Sequence, residues 1–128
     1  MNRYITLGVT AVAGAVVGAA AVQTIHAQAN APAYYVAEVT LKDRNGYMNE
    51  FVPPAEKSRQ DGGGKFIVRG GKTIALQGAA PAPRVVVIQF DNLDKAQAWW
   101  NSSAQKSAQA IGDKYSTFHS YTVEGLSP

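Results

Sequence analysis

The chain has 128 residues, with 12 Lys and Arg against 9 Asp and Glu, a formal charge of +3 and no cysteine. The lack of cysteine excludes disulfides, thiolate metal sites and cysteine nucleophiles together. The charges are dispersed without a basic run, so no nucleic-acid footprint is indicated.

Residues 1–29 have the character of an export signal. Arg3 is the only formal charge there, Ile5 to Val22 is free of ionisable side chains, and Ala27-Gln28-Ala29 supplies a small-x-small cleavage pattern. The expectation is cleavage after Ala29 and a periplasmic or secreted product. The alternative is an uncleaved anchor, because the apolar stretch reaches the roughly 18 residues at the lower edge of a membrane span. Only that alternative would make the membrane a partner. Residues 30–33 form a short leader, 34–125 a single domain and 126–128 a tail. A folded part of about a hundred residues suits one core and is too short for two.

From Tyr34 to Leu41 the residues alternate, with Tyr35, Ala37, Val39 and Leu41 on an apolar face and Tyr34, Val36, Glu38 and Thr40 on a mixed one. That period of two predicts a half-buried strand. Asp43 is placed to cap a helix whose apolar stripe is Tyr47, Met48, Phe51 and Val52. Pro53-Pro54 must kink or interrupt this helix, and Asp61-Gly62-Gly63-Gly64 ends it.

Lys65 to Arg69 reads as a second strand, turned by Gly70-Gly71 into a shorter strand, Lys72 to Gln77, that would pair with it as a hairpin. After the loop Ala79 to Pro83, Arg84 to Phe90 is the most strand-like run, and its β-branched residues Val85 to Ile88 suit a central strand. Asn92 caps a second helix. Leu93, Ala96, Trp100, Ala104, Ser107 and Ile111 recur at intervals of three and four, which makes Trp100 core and Trp99 marginal. Gly112-Asp113 ends that helix, and Phe118 to Glu124 is the last strand.

The order β-α-β-(β)-β-α-β is the split βαβ pattern of an α+β, ferredoxin-like antiparallel sheet with both helices on one face. Tyr34, Val36, Ile67, Val85 and Val87 then lie on the uncovered face. At about 25 cal/mol per Å² of apolar area they favour covering it with a second copy, in a homodimer.

Phe66-Ile67-Val68-Arg69-Gly70-Gly71, Arg84 to Phe90, Ala98-Trp99-Trp100-Asn101-Ser102 and Val123-Glu124-Gly125 occur in an order that resembles the domain-of-unknown-function 1330 family. The likeness runs from about Tyr34 to Gly125. It implies a dimeric α/β barrel, a group that includes small monooxygenases, haem-degrading and ring-isomerising enzymes, whereas this family itself has no settled activity. Two positions depart from the family pattern. Ser102-Ser103-Ala104-Gln105 replaces its Ser-Pro-Glu-Tyr step, and His119 stands where an arginine is frequent.

Strand parity puts Glu38, Arg69 and Gln89 on the face away from the helices, with His119 or Ser120 beside them. Such a group, enclosed by a dimer, could bind a small carboxylate or phenol-like molecule, or could serve only as an ion pair that fixes the dimer register. Arg84, beginning a strand, is a further ligand contact. If the domain is an enzyme, cofactor-free oxygenation or isomerisation by proton transfer is expected, with Glu38 or His119 as base and Arg69 holding an oxyanion. A noncatalytic structural or stress-related dimer is the other reading. No cofactor and no metal are expected, since His119 is the one histidine after residue 29.

Overall fold

The computed structural model describes residues 31–128, so the expected export signal, residues 1–29, lies wholly outside the described residues. Four strands form one antiparallel sheet: β1 (Ala33–Leu41), β2 (Lys65–Arg69), β3 (Arg84–Phe90) and β4 (Ser116–Glu124), in the spatial order β2-β3-β1-β4. This is the ferredoxin-like arrangement that the element order predicts. β1 and β3 occupy the centre, as their alternation and β-branched content require.

The helices cover one face. Asp43 Oδ1 accepts from the Gly46 amide at 3.1 Å and starts a single turn, α1 (Arg44–Gly46). A π-helical turn, Tyr47–Phe51, carries the chain into α2 (Val52–Asp61). Both prolines sit in the first turn of α2, where a missing N–H costs least, and the widened turn before them absorbs their steric demand.

The second helical stretch is two helices rather than one, α3 (Leu93–Asn101) and α4 (Ser103–Tyr115). Asn92 caps α3 as expected, accepting from the Lys95 amide at 2.9 Å. Ser102 makes the break. Its backbone is extended, its hydroxyl donates to Trp99 O at 2.7 Å, and the same oxygen accepts from the Gln105 amide at 3.2 Å. A serine that bonds to its own neighbourhood in this way competes with the helix ladder. The break resets the buried face, so Ala96 and Trp99 are buried in α3 and Gln105, Ala108 and Gly112 in α4. Trp99 is therefore the core indole, 4 % exposed, and Trp100 is only half-buried, the reverse of the unbroken-helix expectation. Gly112 does not end the helix. It allows close packing, since a Cβ there would stand 2.7 Å from Phe51 Cδ1.

The core lies between sheet and helices, around Val39 and Phe90 with Ala33, Ala37, Val86, Ile88 and Ala108. Fully burying a side chain such as Val39, Ile88 or Phe90 stabilises by about 1.5–3 kcal/mol. The alanines on β1 leave room for the rings of Tyr35 and Trp99, whose centroids are 5.0 Å apart in an edge-to-face contact.

Two readings of the β2 region are corrected. Residues 72–77 form no strand; the connection between β2 and β3 is irregular and exposed, with Ile74 and Leu76 in solvent. β2 itself carries a bulge. Phe66 opposes Ile88, yet Val68 opposes Val87 and Arg69 opposes Val86, so one extra residue, Ile67, is accommodated on β2.

Candidate functional site

A one-residue bulge inverts every side chain beyond it. Arg69 thus shares a face with Val86 and points toward the helices, not away from them. There its Nη2 lies 3.2 Å from Glu56 Oε1 of α2, and its guanidinium stacks over Phe66 at 4.6 Å from the ring centroid. Arg84 has the parity of Val86 and Ile88 and faces the same way, its guanidinium 5.6 Å from the centre of the Tyr47 ring.

Arg69 and Arg84 line one cavity of about 60 Å³ between the sheet and the helices. Glu56, Tyr35 and Trp99 belong to its wall, as do Gln105 and Gln109 of α4, and Phe66, Phe51 and Phe118 add apolar surface. Glu56 is the carboxylate of this cluster. Its Oε2 accepts from Arg59 Nη2 at 2.9 Å, while Arg59 Nη1 also donates to Gly64 O at 2.6 Å. Two guanidinium groups, Arg59 and Arg69, share the Glu56 carboxylate, and Arg84 lines the same cavity, so the lining charges Arg69, Arg84 and Glu56 leave positive charge in excess.

Several buried atoms in the wall find no hydrogen-bond partner among the described residues: Arg84 Nε, Gln109 Oε1, Trp99 Nε1 and Glu56 Oε1. For Glu56 Oε1 the distance to Arg69 makes an ion pair, although the angles fall short of a hydrogen bond. Gln105 is settled differently, its Oε1 accepting from the buried Ser58 hydroxyl at 3.0 Å. Burial pushes the Tyr35 phenol above its ordinary range, and a hydrogen bond with Ser120 partly opposes the shift. Tyr35 therefore remains a neutral phenol in the wall at neutral pH.

The other predicted residues are on the opposite face. Glu38 and His119 are paired across β1 and β4, with Glu38 Oε2 3.6 Å from His119 Nδ1, and Glu38 Oε1 accepts from the Ala82 amide at 2.9 Å. Gln89 opposes Tyr34, four residues along β1 from Glu38, about 13 Å at the usual rise. The expected grouping of Glu38, Arg69 and Gln89 is thus divided. Glu38 and His119 stay together, Gln89 stands apart, and Arg69 joins Arg84 behind the sheet. The wall residues Glu56, Tyr35, Trp99 and Gln109 carry no motif; the Glu56-x-x-Arg59 spacing was the one local sign of a charge cluster.

A family model for a domain of unknown function, DUF1330, matches residues 32–126. The chain belongs to the DUF1330 family. The match covers the sheet, the helices and the whole cavity wall. A protein of unknown function from Rhodopseudomonas palustris is similar in structure, with TM-score 0.62 and 13 % identity over 77 % of this chain and 85 % of that one. Its methylated form gives 0.61 and 14 % over 82 % and 90 %. A conserved protein from Bacteroides thetaiotaomicron, described as a possible oxidoreductase, has TM-score 0.50 and 11 % identity over 74 % and 98 %. These likenesses show the fold of this DUF1330 domain. No curated protein matches the chain.

Proposed function

We propose that this DUF1330 domain binds a small organic anion in the cavity between sheet and helices, with Arg84 and Arg69 as its anchors. The observation that carries the reading is Arg84 Nε, buried without an acceptor among the described residues. A buried guanidinium N–H without a partner is costly, and a carboxylate supplies the charged, planar acceptor that suits it. Size narrows the class. A ring of benzene dimensions needs about 150 Å³, whereas about 60 Å³ holds about four waters or an aliphatic acid of about four to six heavy atoms. A phenol-like ligand is disfavoured on that ground, and a short-chain carboxylate is favoured. Calorimetric titration of the protein with acetate tests this. Saturable binding that Arg84→Met weakens at least tenfold supports it, and equal binding by the variant refutes it.

A second copy of the chain on the open sheet face is supported by a separate observation. Ile67, Tyr121 and Val123 are each about half exposed there, beside Val36, Val85 and Val87. In such a homodimer the Glu38–His119 pair would lie at the interface and fix its register, apart from the anion cavity. Export through residues 1–29 is part of the same proposal and rests on the sequence pattern alone.

A further inference from the structure

We propose that residues 72–77 form an arm that closes the homodimer, each copy adding this segment as a strand along the β4 edge of its partner, with Ile74 and Leu76 against the partner's Tyr121 and the partner's Val123. This goes beyond the anion reading and rests on the homodimer proposed above. The arm itself is the first observation. Lys72-Thr73-Ile74-Ala75-Leu76-Gln77 has the composition of a strand, yet none of its backbone groups is hydrogen-bonded to the protein among the described residues. Ile74 is 74 % exposed and Leu76 90 %, and a period of two puts both on one side. The segment lacks a ladder and an apolar cover, and strand addition to another chain supplies the two together.

The arm belongs to the open side of the sheet. Its returning leg is tied there, because the Ala82 amide donates at 2.9 Å to Glu38 Oε1, and Glu38 shares that face with His119. Of the two sheet edges, β4 is the one suited to receive it. β2 has five residues, is bulged at Ile67 and begins with Lys65, and short length, bulges and lysines all discourage pairing at an edge. β4 has nine residues in unbroken register with β1 and no strand on its other side. Tyr121 and Val123 are half exposed on its open face, at the same spacing as Ile74 and Leu76.

The strand order permits the reach. With the order β2-β3-β1-β4, a two-fold axis between facing sheets and parallel to the strands sets each β2 over the β4 of the partner, about 10 Å away at the usual sheet spacing. Extended chain from Gly70 to Leu76 spans about 20 Å, which is ample.

Cysteine pairing tests this, because the chain has no cysteine of its own. Leu76→Cys is co-expressed with Tyr121→Cys, and separately with Val123→Cys, one variant of each pair carrying a tag, so that a mixed disulfide reports a contact between copies. Paired strand residues lie within disulfide reach, about 4.5–5.5 Å between Cα atoms. After mild oxidation, a non-reducing gel is expected to show the mixed dimer for at least one pair, well above a control of Leu76→Cys with Met48→Cys on the helical side. In light scattering, the double variant Ile74→Asp, Leu76→Asp is expected to raise the dimer dissociation constant at least about tenfold. A dimeric wild type with no mixed disulfide above the control overturns the arm and leaves the homodimer intact, as does a dimer that the two aspartates leave unchanged. A monomeric wild type overturns both. If the aspartate variant does not fold, the cysteine pairs still decide.

Discussion

Arg84 packs directly on the backbone of Gly70: a Cβ at position 70 would stand 2.4 Å from Arg84 Nη1. Gly70 also has φ +67°, in the left-handed region, and its amide donates to Val85 O at 2.8 Å. The element Val68-Arg69-Gly70-Gly71 thereby acquires a physical meaning. The bulge at Ile67 turns Arg69 inward, and the glycine immediately after it lets the second arginine come alongside.

Gly70→Ala is expected to fail on two counts. Strain at positive φ costs about 1–3 kcal/mol, and the new methyl group displaces the Arg84 guanidinium. Urea denaturation should show the lost stability, and acetate titration should show weakened binding beyond that seen in Gly71→Ala, where a Cβ meets nothing within 4 Å. Equal behaviour of the two variants would detach Gly70 from the site.

Stability should decline at alkaline pH partly through Tyr35. Its phenol titrates higher in the folded state than the ordinary 10.0 because burial disfavours the phenolate. The folded protein then holds the proton more tightly than the unfolded chain. Stability is therefore unaffected below about pH 10 and falls as the pH rises from 10 toward the folded value. Tyr35→Phe should flatten this decline in urea titrations between pH 9 and 11. Some slope should persist, since the half-buried Tyr115 is also raised through its hydrogen bond to Glu50. An unchanged slope in Tyr35→Phe would show that this burial is not retained in solution.

The open sheet face predicts the oligomeric state. Tyr121→Asp places a charge among Val36, Val123 and their neighbours, where desolvation in an interface is costly. Light scattering should report a dimer for the wild type and a monomer for the variant. A monomeric wild type at tens of micromolar would leave this apolar face unexplained by self-association.

Most of the sheet was legible because its signals are local. Alternation along Tyr34 to Leu41 gave both faces of β1 correctly, Asp43 and Asn92 cap the helices they were expected to cap, and the element order gave the topology. The site was poorly legible because two small irregularities control it. The bulge at Ile67 changes the face of Arg69, and the Ser102 break exchanges the positions of Trp99 and Trp100. Neither follows from periodicity, since each is a place where the period fails. Residues 72–77 show the converse. Their composition permits a strand, but no neighbouring strand pairs with them, and an isolated strand has no ladder to stabilise it.

The most direct test of the central claim is the NMR signal of the Arg84 Nε–H group, assigned through loss of the peak in Arg84→Met, followed during titration with acetate. A saturable shift of that signal is the result predicted for an anion held in the cavity. A titration that leaves Arg84 unmoved, or perturbs only Glu38, Gln89 and His119 on the open face, would contradict it.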